Sequence, residues 1–253
     1  MFQSDSVFVG IDPTSAQKSF TFAALDKDLN LLTLTEGEIQ DVVAFLLGQS
    51  SAVVAVNSPS GINRGIVRQR IQREMPATHQ IRGADMRLAE YQLRNSGIAV
   101  TGTPASIALC PAWMQLGFEV FRALENLGFR QYPATFSAFQ VMETHPHACF
   151  CVLGGGLPLS KPSLEGRLQR QLILYDRGIG IRDPMEFFEE ITRYKLAKGV
   201  WPIELLYLPE QLDALAAAFT AYQAIRQPEK VFTVGDAGEG IIVVPDSELK
   251  EMY

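Results

Sequence analysis

The stretch Val7-Phe8-Val9-Gly10-Ile11-Asp12-Pro13-Thr14 decides the fold that this sequence predicts. Its alternating and β-branched apolar residues are typical of a buried β-strand, and Gly10 permits close approach of another backbone. Proline stops the strand just after Asp12, so this carboxylate is expected at the carboxyl end of a central strand, where open α/β sheets bind ligands. A buried acid there is costly unless it is paired, hydrogen-bonded or bound to a cation. Asp12 is therefore the first candidate functional residue.

The segments that follow predict an α/β fold with a mixed sheet. Strands at 18–25 and 29–35, joined by a turn, would make an antiparallel three-stranded meander with the first strand. A helix over 39–47 would then lead to the apolar strand 52–57, which the helical crossover makes parallel to the first. Asn57, at its end, would lie beside Asp12. Further strands are predicted at 139–143, 231–235 and 241–244, and helices over 111–128, 164–177, 184–198 and 209–219, so that helices flank the sheet and dominate the C-terminal half.

Composition limits the class of protein. Hydrophobic residues make up 47% of the 253 residues and charged residues 20%, as in ordinary globular proteins, and the formal net charge of −6 gives no global attraction for a polyanion. No apolar run approaches the roughly 20 residues that span a bilayer, and residues 1–6 have neither the basic segment nor the apolar core of a signal peptide. The cysteines at 110, 149 and 151 form no disulfide framework. We expect a soluble, cytoplasmic protein with no membrane partner.

Residues 62–110 are predicted to be an arginine-rich insertion that runs outside the sheet, with a helix over 85–94. Its arginines could form a phosphate-contacting face, or they could lie on a solvated helical surface with Glu74, Asp85 and Glu90 as partners. They are Arg64, Arg68, Arg70, Arg73, Arg82, Arg87 and Arg94. The next helix, which opens at Pro111, carries a stripe of apolar residues that we interpret as core: Trp113, Leu116, Phe121 and Leu124.

Two further carboxylates occupy places that resemble that of Asp12. Glu143 ends an apolar strand and is followed closely by Pro146, and Asp213 lies in the first turn of a helix among residues that belong in a core. Acids at the ends of neighbouring strands, joined by one from a facing helix, form a site for hard divalent cations. Two such ions can activate a water and stabilise the leaving oxygen in phosphodiester cleavage. The alternative is that each acid caps a helix or pairs with an arginine.

The segment His145-Pro146-His147-Ala148-Cys149-Phe150-Cys151 places four possible metal ligands at alternate positions. On a strand all four would share one face, and on a helix they would form two i,i+4 pairs; either geometry could hold zinc. One element rarely surrounds a tetrahedral ion, however, and buried free cysteines are the competing interpretation. His145, two residues after Glu143, could separately act as a proton shuttle. Residues 154–156, all glycine, lack the ending of a phosphate-binding loop and are interpreted as a flexible loop.

An ordered set of short motifs, spread over nearly the whole chain, resembles a known family. The chain is similar to the domain of unknown function 429 (DUF429) family, described as predicted ribonuclease H-like nucleases, and its order of meander, helix, strand and late helix resembles the ribonuclease H-like fold. The motifs are Gly10-Ile11-Asp12, Val56-Asn57-Ser58-Pro59-Ser60-Gly61, Glu143-Thr144-His145-Pro146, Lys161-Pro162-Ser163-Leu164-Glu165-Gly166-Arg167 with Arg170, Leu212-Asp213-Ala214-Leu215-Ala216-Ala217-Ala218, and Glu239-Gly240-Ile241-Ile242-Val243-Val244-Pro245.

The resemblance implies a single ribonuclease H-like domain over residues 1–253 that hydrolyses phosphodiester bonds. Mg²⁺ or Mn²⁺ would be held by Asp12, Glu143 and Asp213, and nucleic acid or another phosphodiester would be the partner. Asn57 stands where the family usually has an acid, which should weaken cation binding because affinity depends on the number of charged ligands. Residues with further expected roles are Asn57 and His145 in catalysis, and Arg82, Lys161 and Arg167 in substrate binding.

Two other functions stay open. A non-catalytic binding or scaffold protein could have kept the same fold with a degenerate metal site, and both Asn57 and the acidic net charge favour it. A phosphotransferase of the actin-like ATPase group also begins with a strand that ends in an aspartate. That group normally needs two such domains and a glycine-rich adenosine motif, for which 253 residues leave little room.

Overall fold

One mixed sheet organises the computed structural model, which describes residues 6–14, 19–74, 83–246 and 248–253. The described strands are β1 (Val7–Asp12), β2 (Phe20–Leu25), β3 (Leu31–Gly37), β4 (Ala52–Val56), β5 (Arg130–Gln131), β6 (Phe139–Thr144), β7 (Val231–Asp236) and β8 (Gly240–Pro245). Their order is β3-β2-β1-β4-β6-β8-β7, and β5 pairs with β6. The predicted antiparallel meander β1-β2-β3 is confirmed, as is the parallel pairing of β4 with β1. β6 and β8 continue the parallel part, and β7 is antiparallel to β8.

Helices cover both faces of this sheet. The described α-helices are α1 (Ile39–Leu47), α2 (Ile66–Glu74), α3 (Leu88–Asn95), α4 (Ala112–Asn126), α5 (Pro146–Gly154), α6 (Leu164–Asp176), α7 (Glu186–Glu189), α8 (Arg193–Ala197) and α9 (Pro209–Arg226). One buried apolar cluster lies on the face that α9 and α5 cover, and a second lies on the face that α1 and α4 cover. The α/β prediction is therefore confirmed.

One predicted helix is wrong, and the structure defines the predicted insertion in more detail. The single helix predicted over 184–198 is wrong, because the chain breaks after α7 and Thr192 starts α8 by accepting a hydrogen bond from the Lys195 amide at 3.1 Å. The insertion at 62–110 contains α2 and α3, and its described residues add no strand to the sheet, as expected. No helix within the described ranges is long and apolar enough to cross a bilayer.

Helix α9 crosses the sheet directly against β1, and the two backbones come closest at Gly10. A Cβ atom at Gly10 would lie 1.9 Å from the carbonyl oxygen of Ala214 and 2.3 Å from the amide nitrogen of Ala218. The close approach predicted for Gly10 is confirmed, and alanines on α9 make it possible from the other side. Because Ala214 follows Asp213 directly, this contact brings the Asp213 end of α9 to the carboxyl end of β1.

We predict that Gly10→Ala lowers the free energy of unfolding by about 3 kcal/mol, because the added methyl group meets backbone atoms that cannot rotate away. Urea unfolding followed by circular dichroism measures this loss. Gly156→Ala is the matched control, since a Cβ atom added there would have no described atom within 4 Å. Equal effects of the two substitutions would contradict the close approach of α9 to β1.

Candidate functional site

A cavity of about 470 Å³ opens where the parallel strands end. Thr14 follows β1, Asn57 and Ser58 follow β4, and Glu143 lies at the end of β6, so the cavity occupies the edge of the sheet where open α/β sheets bind ligands. Other parts of the chain complete its wall: residues 99–101 after α3, Trp113 on α4, Lys161, Arg170 on α6 and Asp213 on α9.

Asp12 lies fully buried beside this cavity. Its Oδ1 accepts hydrogen bonds from Asn57 Nδ2 at 2.8 Å and from Thr14 Oγ1 at 2.7 Å, so the predicted meeting of Asp12 and Asn57 is confirmed. Its Oδ2 is also buried but finds no hydrogen-bond partner among the described residues. Burial raises the pKa of Asp12, although the charge of Lys161 and the hydrogen bonds act in the opposite direction.

Asp213 and Lys161 form an ion pair next to Asp12. Lys161 Nζ donates to Asp213 Oδ2 at 2.5 Å. Burial and the nearby charge of Asp12 raise the pKa of Asp213 to about 7, and the contact with Lys161 only partly offsets them. Burial also opposes the charge of Lys161, but the two aspartates outweigh that effect and raise the pKa of its ammonium. The structure therefore places two buried carboxylates around one lysine.

Glu143 lines the same cavity, but other groups already bind both of its oxygens. Arg87 Nη1 donates to Oε2 at 2.9 Å and Nη2 donates to Oε1, while the Ser60 amide and hydroxyl also donate to Oε2, at 2.8 and 2.9 Å. The alternative weighed for each acid, pairing with an arginine, is confirmed for Glu143. The solvated-surface interpretation of the insertion is wrong for Arg87 and Glu90, whose side chains are both 1% exposed and form a second ion pair at 2.8 Å.

The insertion is held against the sheet by a second buried carboxylate. Glu239 accepts backbone hydrogen bonds from Arg64 at 2.7 Å, Ile66 at 3.0 Å and Leu88 at 3.0 Å. It thus caps the amino ends of both α2 and α3, where helices leave amide donors without internal partners. Arg87 Nη1 also donates to the Glu239 carbonyl at 3.0 Å. These contacts fix the insertion as one wall of the cavity.

The histidine and cysteine segment forms the start of α5. His145 Nδ1 accepts the Ala148 amide at 3.2 Å and caps the helix, while burial, and then His147, lower the pKa of His145 to about 4. Cys149 and Cys151 are free and buried, and burial raises the pKa of each thiol to about 11. In the part of the chain that the structure describes, no three histidine, cysteine or acidic residues form a metal cluster. The interpretation as buried cysteines is confirmed.

The structure separates the residues expected to bind substrate. Lys161 lines the cavity, whereas Arg167 Nε and Nη2 donate to the carbonyl oxygens of Tyr207 at 2.8 Å and Leu206 at 2.5 Å and so hold the loop before α9. Arg82 lies outside the described residues. The predicted loop at 154–156 is the carboxyl end of α5, where Gly155 has a φ of 72° and caps the helix.

Sequence reasoning assigned no site role to Trp113 and Arg170, which line the cavity. Arg87 and His147 line it too; the sequence pointed to them only as part of a phosphate-contacting face and as a possible zinc ligand, respectively. Arg170 had a signal, because it accompanies one of the motifs that resemble the family. Arg87 could not be chosen from seven arginines without knowing which of them faces Glu143. Trp113 was interpreted as core; Leu116, Phe121 and Leu124 are indeed buried, but Trp113 is half-buried at the cavity.

Comparison with known proteins gives one family. A family model described as a protein of unknown function (DUF429) matches residues 10–238, which is most of the chain. No curated protein matches the sequence.

We predict that burial of Asp213 makes stability depend on pH. With an ordinary pKa of 3.8 and a folded value of about 7, the native chain holds a proton that the unfolded chain releases. The free energy of unfolding should therefore fall as pH rises from about 4 to about 7, by roughly 2–4 kcal/mol, and the loss remains above that range. Asp213→Asn should remove the contribution of Asp213, while Asp12, whose pKa burial also raises, leaves a slope of the same sign in both proteins.

Urea unfolding of both proteins between these pH values tests the expectation. His145, with its lowered pKa, contributes a slope of opposite sign to both proteins, so the difference between wild type and variant is the measured quantity. Asp176→Asn, at an exposed position on α6, is the control and should follow wild type. A constant difference between wild type and Asp213→Asn would contradict the raised pKa.

We predict that Arg87→Met lowers the free energy of unfolding by about 3–5 kcal/mol, because Glu143 and Glu90 are left buried without their cation. The exposed Arg122→Met, on α4, should change it by less than about 0.5 kcal/mol. Thermal and urea unfolding measure both. A small effect of Arg87→Met would show that the buried pair does not hold the insertion.

Proposed function

This chain belongs to the DUF429 family, and on that premise we propose that it hydrolyses phosphodiester bonds with a divalent cation, Mg²⁺ or Mn²⁺, held by Asp12 and Asp213. The observation that carries the proposal is the buried Asp12 Oδ2, which has no hydrogen-bond partner in the described chain and lies beside a second buried carboxylate. An ionised carboxylate in such surroundings is costly unless a cation compensates it.

The residues at this place fit a magnesium-type site. Mg²⁺ is usually bound by one or two carboxylates and completes its coordination with waters and substrate phosphates. Asp12 and Asp213 supply two carboxylates for such a site. Glu143 is left out of the proposed ligand set because Arg87 and Ser60 already bind its oxygens. Asn57 orients Asp12 by its hydrogen bond.

When bound, the cation would polarise a phosphoryl oxygen and lower the pKa of a water. Lys161 Nζ, which donates to Asp213, can turn to a phosphate oxygen when Asp213 has another partner. His145 is neutral at pH 7 because its pKa is low, and since its Nδ1 accepts a backbone amide, the proton lies on Nε2 and can be donated in a hydrogen bond. Arg170 adds positive charge to the cavity wall, where negative charge would develop.

The fold supports the same proposal. The meander β1-β2-β3, the crossover α1 to the parallel strand β4, and the late helix α9 that carries Asp213 against β1 are the features that resemble the ribonuclease H-like fold. We propose this fold for residues 1–253. Fold by itself does not establish the reaction, which rests on the two carboxylates.

A non-catalytic binding protein with the same fold is the second candidate. The Arg87–Glu143 ion pair favours it, because it removes one of the three acids that a nuclease site was expected to use, and Asn57 is a neutral side chain. Such a protein could still bind a cation and a phosphate without cleaving a bond.

We predict that saturating Mn²⁺ or Mg²⁺ at pH 8 raises the free energy of unfolding by about 1–3 kcal/mol, because the cation binds only the folded protein. Differential scanning fluorimetry with and without the cation measures the shift. Asp12→Asn and Asp213→Asn should abolish it, and the exposed Asp176→Asn should retain it. Glu143→Gln should lower stability but keep the cation shift.

Hydrolysis of bis(4-nitrophenyl) phosphate, followed by absorbance, separates the two candidates. A cation shift with cleavage that Asp12→Asn abolishes supports the hydrolase. A cation shift without cleavage of this or of longer diesters supports the binding protein. Absence of a cation shift in wild type, with all proteins folded, would overturn the site at Asp12 and Asp213.

A further inference from the structure

The cavity has the size of a small-molecule site, and its wall is rigid. Its volume of about 470 Å³ falls within the range of roughly 300–1,000 Å³ that is typical of such sites. The insertion forms one wall, and the ion pair between Arg87 and Glu143, with side chains 1% and 2% exposed, ties that wall to β6. Opening it would break a buried ion pair, which is strongly unfavourable. The cavity is therefore poorly suited to admit a nucleic acid strand along its length.

The charges around the cavity suit one phosphate group. Lys161 lines the cavity and pairs with Asp213 until that carboxylate takes another partner. Arg170, whose Nη1 donates to the carbonyl oxygens of Leu159 and Gly166, also lines it. Arg87 lines it too, but Glu143 and Glu90 neutralise its charge. A protein that binds a nucleic acid strand needs a basic groove that follows several phosphates.

Two of the exposed arginines of the insertion are already paired with acids. On α2, Arg68 pairs with Asp85, and Arg70 lies 3.5 Å from Asp236. The net charge of −6 adds no general attraction for a polyanion.

Aromatic and apolar side chains also line the same cavity. Trp113, in the first turn of α4, is half-buried and lines it together with Pro59, Val100 and Ile242. An indole ring offers a flat face on which a base or another aromatic group can stack. One cavity thus combines Asp213, which lies next to the buried Asp12, with cations for a single phosphate and a platform for a ring.

We infer that the substrate is a small phosphodiester with an aromatic or heterocyclic group, the size of a dinucleotide, and that Trp113 contacts that group. This inference rests on the proposed function for the reaction, but binding of the ligand can be measured without cleavage. The phosphate lies at Lys161 and Arg170 and the ring lies on Trp113. A nucleic acid strand is the alternative occupant, and the test distinguishes it.

Calorimetry should compare two probes, each with and without Mn²⁺. One is adenylyl-(3′→5′)-adenosine, which has one phosphodiester, and the other is a circular single strand of about 20 nucleotides, which has no end to insert. We expect the dinucleotide to bind more tightly than the circle. The slope of log K against log[salt] should be shallow for the dinucleotide, because a single phosphate releases few counterions.

Variants of the two tryptophans test the contact. Trp113→Ala should weaken dinucleotide binding about tenfold, the usual cost of losing one base stack, and Trp113→Phe should largely restore it. Trp201→Ala should leave binding unchanged, since Trp201 is 43% exposed and stacks on Phe187, away from the cavity-lining residues. Melting temperatures of all variants confirm that they fold.

Each experimental result either supports or overturns the inferred substrate class. Tighter binding of the circle, with a steep salt slope, would overturn it, and so would undetectable dinucleotide binding in both conditions or equal binding by Trp113→Ala. Dinucleotide binding that depends on Trp113 supports it even if Mn²⁺ gives no thermal shift, in which case the cation proposal alone fails. A Mn²⁺ shift without dinucleotide binding would leave the cation site standing and reject this substrate class.

Discussion

The contact between Gly10 and helix α9 is the constraint on which the rest of the site depends. Ala214 and Ala218 approach β1 so closely that a Cβ atom at residue 10 would overlap their backbone. No side chain separates the helix from the strand, so the N-terminal part of α9 lies near the end of β1. Asp213 is carried there by its position in the helix, one residue before Ala214. Close packing in the core therefore places two acids together that are 201 residues apart, from 12 to 213, in the sequence.

Compensation of buried charge explains how the remaining groups are arranged. Glu143 receives two donors from Arg87 and two from Ser60, so its charge is fully satisfied inside the protein. Asp12 and Asp213 share a single lysine, and burial together with their mutual repulsion keeps the pKa of Asp213 high. The acids at the sheet edge thus divide into one that holds the structure together and two whose charge is only partly compensated. A buried carboxylate whose charge is only partly compensated is a candidate for a functional role rather than a stabilising one.

The compensated acids also explain the structural role of the insertion. Arg87 joins Glu143 to Glu90, and Glu239 caps two helices of the insertion, so a segment that adds no described strand becomes a fixed wall. This wall turns the open edge of a sheet into a cavity, which Trp113 also lines. Within a shared sheet architecture, such a wall would decide what size of molecule reaches the acids.

Much of the fold followed from the sequence, because local patterns carry it: apolar alternation marked β1 to β4, proline and alanines marked α9, and Gly10 marked the close approach. The sequence also pointed to Asp12, Asn57 and Asp213, since strand ends and a buried acid on a helix are visible without coordinates. The sequence could not show that Glu143 forms an ion pair with Arg87, that Arg167 holds the loop before α9, or that Trp113 lines a cavity. Those facts depend on which side chains meet across long separations in the chain. Periodicity determines the face on which a residue lies, but only tertiary packing determines its partner, and the partner decides whether a buried charge is compensated or available.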